Sequence, residues 1–152
     1  RRKGCNEIIV TGQSFGGNVA LRAGLLHPGK VDRIIAAITP LDISKEFAVG
    51  NRAISALLPR DWSNVGAAEI AAVSPRALAL QATDLSSLSI TLIQGEFDDQ
   101  ISTGKDESSI QAMREKGAKV RLIVQPGLGH SRFVTPEQWS QYWFNVGQAL
   151  AD

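Results

Sequence analysis

Ile8-Ile9-Val10-Thr11-Gly12-Gln13-Ser14-Phe15-Gly16-Gly17 carries a short β-branched run into a glycine-flanked serine, and residues 15–26 behind it read as a helix. Strand, sharp turn and helix in that order are the setting a G-x-S-x-G motif needs if its serine is to act as a nucleophile. The turn forces the serine into a strained backbone conformation. Glycines two residues to either side let strand and helix approach, and the hydroxyl is pushed out beyond the sheet edge. The helix offers Val19, Leu21 and Leu25 as candidate buried positions and closes at His27-Pro28-Gly29.

The rest of the chain repeats the alternation. Residues 7–10, 33–38, 90–94 and 120–124 are short apolar runs bounded by Gly, Pro or Asp, as expected of strands covered on both faces. Residues 103–116 read as a helix ended by Gly117 at a left-handed cap. The last helix, 136–150, starts at a proline and places Trp139, Trp143, Val146 and Leu150 on one stripe. Strands alternating with helices imply an α/β fold: a three-layer sandwich around a parallel sheet with right-handed crossovers. Residues 39–89 break the rhythm, because roughly fifty residues between two strands far exceed an ordinary βα loop. Helical patterns at 45–58, 66–73 and 75–83 predict a helical lid insertion, about 40–88, lying over one end of the sheet.

Composition narrows the function classes. The chain has 152 residues, 43% hydrophobic and 20% charged, with a net charge of +1, which is the profile of one ordinary soluble domain. Apart from Arg1-Arg2-Lys3 there is no basic stripe to neutralise phosphates, so nucleic acid is not an expected partner. No apolar run approaches the length of a membrane span, so none is expected. One cysteine, Cys5, permits no internal disulfide and leaves the compartment open between cytoplasm and an oxidising space. Two histidines and one cysteine without ligand spacing imply neither metal nor organic cofactor. The start at Arg1 reads as the C-terminal part of a longer chain.

A serine hydroxyl needs a base to take its proton, and the base needs a carboxylate to fix its tautomer. His27, at the end of the first helix, reads as a surface or capping residue. His130 lies in Pro126-Gly127-Leu128-Gly129-His130-Ser131, directly after a strand and at the sheet edge where Ser14 projects. The third strand opens at that edge into Gly95-Glu96-Phe97-Asp98-Asp99. Spacing alone does not choose between Asp98 and Asp99. The order serine, acid, histidine differs from that of either well-known protease fold. A phosphate-binding reading of the glycine turn is the rival. Thr11-Gly12 with Gly16 approaches the fingerprint of short-chain dehydrogenases, but Asn18 stands where its last glycine belongs. The only tyrosine, Tyr142, is followed four residues later by Val146 rather than lysine.

With these residues the chain resembles the C-terminal half of an α/β-hydrolase-fold serine hydrolase. Gly12-Gln13-Ser14-Phe15-Gly16-Gly17, Ser74-Pro75, Gly95-Glu96-Phe97-Asp98-Asp99 and Pro126-Gly127-Leu128-Gly129-His130 look most like the prolyl-oligopeptidase type of peptidase and the dienelactone-hydrolase-like esterases. The resemblance selects Asp98 as the acid and makes the Phe15 N–H one oxyanion donor. It implies hydrolysis of a small ester or peptide substrate through an acyl-enzyme. It also implies strands before the nucleophile, including the loop that gives a second oxyanion donor, so the 152 residues alone are expected to be weakly active or inactive. A hydrolase-fold binding protein without turnover and an acyltransferase using the same triad are the alternatives. The insertion would roof the pocket, with Leu41, Phe47, Leu57, Leu58 and Trp62 as candidate lining residues.

Overall fold

Four strands, β1 (Ile9–Gln13), β2 (Arg33–Ala37), β3 (Ser89–Gly95) and β4 (Lys119–Gln125), pair in parallel in the order β1-β2-β3-β4. The computed structural model describes residues 4–51, 66–130 and 135–151. The register keeps the carboxyl ends level: Gln13 faces Ala37, Ala37 faces Ile93, and Gly95 faces Gln125. Whatever follows β1, β3 and β4 therefore emerges along one edge.

Side chains alternate between the two faces of a strand, and both faces here are covered. Ile34, Ala36, Ile90 and Leu92 point into a core shared with α1 (Phe15–Leu26), α4 (Pro75–Gln81) and α5 (Glu107–Glu115), through Leu21, Leu25, Leu78, Ala79, Ile110 and Met113. Ile35, Ala37 and Ile93 meet Tyr142, Val146 and Ala149 of α6 (Pro136–Ala151) on the other face. The result is the expected three-layer α/β sandwich. A smaller cluster at the carboxyl edge gathers Ile43 of α2 (Ile43–Ala48), Ile70 of α3 (Ala67–Ala72), Ile101, Phe15, Phe47 and Val73.

Several boundaries and faces differ from the sequence pattern. β1 runs to Gln13 rather than stopping at Val10, because Thr11, Gly12 and Gln13 pair with Ile35, Ala36 and Ala37. Val19 is 51% exposed, whereas Leu21 and Leu25 are buried. The helix lies so close to the sheet that a Cβ on Gly24 would stand 2.4 Å from Ile34. The buried stripe is thus built on the small residues Gly17, Ala20 and Gly24, and Val19 falls off it. In α6 the buried row is Tyr142, Val146 and Ala149 with Trp139 packed beside it; Trp143 is 61% exposed and rests edge-on against Tyr142. The expected stripe of Trp139, Trp143, Val146 and Leu150 is thus displaced: Leu150 is 48% exposed too, and the sheet takes the row ending in Ala149, whose carbonyl also accepts from Arg33.

The insertion is also smaller than its pattern suggested. Leu78, Ala79, Leu85 and Leu88 are buried in the main core, so residues 75–88 belong to the body of the fold and not to a lid. Leu41, a candidate lining residue, is likewise fully buried there. Among the described residues of the insertion, α2 and α3 pack into the smaller cluster at the carboxyl edge instead; Leu57, Leu58 and Trp62 lie outside the described residues.

The helix predicted from residue 103 begins at Glu107, because Asp106 caps it by accepting from the Ser109 N–H. Burial alone would raise the Asp106 carboxyl, but hydrogen bonds from Lys45, Ser108 and Ser109 outweigh it and hold the group well below the usual carboxylate range. A depressed folded-state value contributes stability that is present above the unfolded value of about 3.9 and is lost as pH falls through the folded one. Asp106→Ala is therefore expected to melt below the wild type at pH 7. The gap should narrow progressively in melts taken below about pH 4.

Candidate active site

Ser14 sits between β1 and α1 with φ 53° and ψ −127°. Among the described residues only Ser14 and Ile38 are non-glycines at positive φ. Such strain persists only where the surroundings over-determine it. Here the Ser14 N–H donates to the Ala37 carbonyl at 2.8 Å, and the Ser14 carbonyl accepts from the Gly17 N–H at 3.0 Å. The two motif glycines are not equivalent. A Cβ on Gly12 would lie 2.2 Å from the Gly16 carbonyl oxygen, whereas one on Gly16 would meet nothing within 4 Å. Close approach is needed at Gly12, and again at Gly17, which packs on Thr39.

Gly12→Ala is accordingly expected to cost about 3 kcal/mol or more, since backbone must move. Gly16→Ala should stay within about 0.5 kcal/mol. Urea denaturation of the two variants side by side reads the difference.

His130 follows β4, and Asp98 follows β3. The structure brings both to Ser14: the Ser14 Oγ is 3.0 Å from His130 Nε2, and His130 Nδ1 is 3.0 Å from Asp98 Oδ2. The other carboxylate oxygen of Asp98 accepts the backbone N–H groups of Gln100 at 3.0 Å and Ile101 at 2.9 Å. A carboxylate can only accept, so Nδ1 must carry the proton, and Nε2 is left as the acceptor for the serine hydroxyl. The side chains of His130 and Asp98 are 9% and 3% exposed. The pair is thus largely out of water, where such hydrogen bonds gain strength.

The loops that carry Asp98 and His130 are fastened to each other. Glu96 N–H donates to the Gln125 carbonyl and Phe97 N–H to the Leu128 carbonyl, both at 3.0 Å. Glu96, exposed in the 95–99 segment, accepts the Gly127 N–H at 2.9 Å and so ties the turn before His130 to the turn before Asp98. Lys105 donates to the Gly95 and Glu96 carbonyls at 3.1 and 2.7 Å. Gln94 brackets the Thr39 backbone with both ends of its amide. None of these roles was read from the sequence, although Glu96 lay in a segment that carries the resemblance. Gln94 alone carried a signal, as a polar residue ending an apolar strand.

Asp99 is exposed, as is His27, whose backbone N–H rather than its ring caps the Gly24 carbonyl. The Phe15 N–H, in the first turn of α1, has no carbonyl one turn earlier in its own helix and lies at the positive end of the helix dipole. The Phe15 ring packs into the cluster around Ile43 and Ile101. Phe47, from the same cluster, lines an apolar cavity of about 270 Å³ with Ser44, Ala48, Ala67 and Ile70. Among the described residues no three His, Cys, Asp or Glu side chains converge as metal ligands. None of the described helices is long and apolar enough to cross a membrane.

Neither a protein-family model nor a curated protein sequence matches the chain. Solved structures do. A truncated carbohydrate esterase from gut microbiota superposes with a TM-score of 0.62 at 21% identity, over 95% of this chain and 60% of that one. Acylaminoacyl peptidase of Pyrococcus horikoshii gives 0.68 at 14% identity, over 93% and 23%. Dipeptidyl peptidase 4 of Porphyromonas gingivalis gives 0.70 at 15% identity, over 95% and 19%. The chain spans 60% or less of each of these proteins. Its parallel sheet with flanking helices is the α/β-hydrolase fold.

Proposed function

We propose that this α/β-hydrolase-fold chain carries the nucleophile, base and acid of a serine hydrolase that cleaves an ester or peptide bond through an acyl-enzyme. The observation that carries the reading is the unbroken line of two 3.0 Å hydrogen bonds from Ser14 through His130 to Asp98. Similarity in fold to an esterase and two peptidases supports it.

Ser14 Oγ attacks the substrate carbonyl while its proton passes to His130 Nε2. Asp98, held by two backbone N–H groups, stabilises the imidazolium and keeps Nδ1 pointed at itself. Charge develops on the former carbonyl oxygen, and the Phe15 N–H supplies a donor at the helix end. His130 then gives the proton to the leaving alcohol or amine, and the acyl group stays on Ser14. A water, deprotonated by the same nitrogen, releases the acid and restores the serine. The apolar cluster of α2 and α3 beside Phe15 forms one wall of the substrate site in this reading. A fluorophosphonate tests it directly: the protein carrying this chain should be labelled on the tryptic peptide containing Ser14. Labelling elsewhere, or none, would sink the proposal.

A further inference from the structure

Glu46 is the one acidic side chain of α2, and it is fully buried. Among the described residues it joins no ion pair. A carboxylate is costly to bury unless donors surround it. Three do here. Its Oε1 accepts the Thr103 backbone N–H at 2.6 Å and the Thr103 hydroxyl at 2.7 Å, and its Oε2 accepts from the Asn51 amide at 2.6 Å. The same Asn51 amide donates to the Gln100 carbonyl. The Thr103 hydroxyl oxygen in turn accepts the N–H groups of Leu41 at 3.1 Å and Asp42 at 3.2 Å. Gln100 is thus one anchor and Ile101 lies between it and Thr103, and the N–H groups of both residues grip Asp98. Ile101 also packs on Ile43 of α2.

We propose that Glu46 is a positioning residue, which through Thr103 and Asn51 clamps the 98–103 loop to α2 and so holds Asp98 against His130. The inference rests on the hydrolase reading and extends it. It makes α2 part of the scaffold for the acid and not merely a cover over the substrate. An apolar residue of similar size would fill the same space, and buried charges seldom add stability over such a replacement. What Glu46 adds is direction: three short, charge-assisted bonds leave the loop a single arrangement. Nothing on Glu46 touches the reacting atoms, so its effect must pass through the Asp98 to His130 hydrogen bond.

The test is made in the full protein that carries this chain, with Glu46→Gln, Thr103→Val and Thr103→Ser. Glu46→Gln keeps the shape but turns an amide donor toward Asn51. Thr103→Val removes the hydroxyl, and Thr103→Ser restores it. Two readouts are taken: steady-state kinetics on a p-nitrophenyl ester, and the low-field proton resonance of His130 Nδ1–H. Glu46→Gln and Thr103→Val are expected to lower kcat roughly 10- to 100-fold, as loss of an outer-shell partner does. KM should move by less than about threefold, and the resonance should broaden or vanish. Thr103→Ser should recover most of what Thr103→Val loses. Where Glu46→Gln fails to fold, Asn51→Ala, at a half-buried position, frees the Gln100 carbonyl and carries the same expectation. An unchanged resonance in a folded Glu46→Gln protein overturns the proposal, and so does a loss of activity that only follows the folded fraction. If the wild type neither turns over nor labels at Ser14, the hydrolase reading fails by itself. The resonance still decides whether Glu46 positions Asp98.

Discussion

Replacing Ser14 with alanine is expected to lower the turnover of a p-nitrophenyl ester by roughly 10⁶-fold, about as much as removing the whole constellation. The reason is chemical. On the proposed mechanism no acyl-enzyme can form without the hydroxyl, and what remains is whatever binding and the Phe15 N–H would do for a water attacking unaided. His130→Ala should fall about as far, because Ser14 Oγ then has no base within reach; Nε2 is its acceptor at 3.0 Å. The two losses should not add. If the double variant were much slower than either single one, serine and histidine would not be working as one unit. The fold should survive both changes, since Ser14 makes no side-chain cap to α1. An alanine variant that still hydrolyses the ester at the wild-type rate would remove Ser14 from the mechanism.

Asp98→Asn is the second large effect, expected near 10⁴-fold in kcat. The geometry says why an isosteric change should matter so much. Two backbone N–H groups point at Asp98 Oδ1, so an amide at this position would orient its oxygen toward them. Its NH₂ would then face His130 Nδ1 and compel that nitrogen to accept. The ring proton moves to Nε2, opposite Ser14, and the base is lost to the wrong tautomer. Asp99→Asn, at the exposed neighbouring position, should leave turnover unchanged. A reversed pattern would move the acid one residue along the chain.

The two aspartates illustrate where spacing stops and only the resemblance made a choice, for Asp98. Both follow the same strand, and spacing ranks neither. In the folded chain Asp98 meets His130 and the Gln100 and Ile101 N–H groups, whereas Asp99 is exposed; Gly95 before them lets the Leu128 carbonyl approach, where a Cβ would stand 2.4 Å from it. The histidines separate more easily: one ends a helix and the other follows a buried strand. Helix faces were legible only in part. A 3.6-residue period named one stripe in α1 and one in α6, and in each the sheet buried a neighbouring row, leaving Val19, Trp143 and Leu150 exposed. The body of the fold reclaimed residues 75–88 for a similar reason. A helical pattern says that an apolar face will be buried, but not against what.

Glu46, Glu96 and Lys105 were illegible for a different reason. A single charged residue in a helix or turn reads as solvated, because most are. Their roles depend on carbonyls and N–H groups contributed by chain as far away as 57 residues, in the case of Glu46 and Thr103. No local pattern encodes such a meeting.

The succession of strands and helices along the chain and the place of the serine turn between β1 and α1 were set by local chemistry: β-branched runs, glycines and caps act on their own neighbours in the chain, whereas the register that levels the loops is a matter of strand pairing. The contact between Asp98 and the imidazole, the helical stripe that is buried, and the meeting of Glu46 with Thr103 and Asn51 were decided by tertiary structure. Those outcomes depend on distances of about 3 Å between segments far apart in sequence, and only the packed sheet brings such segments within reach.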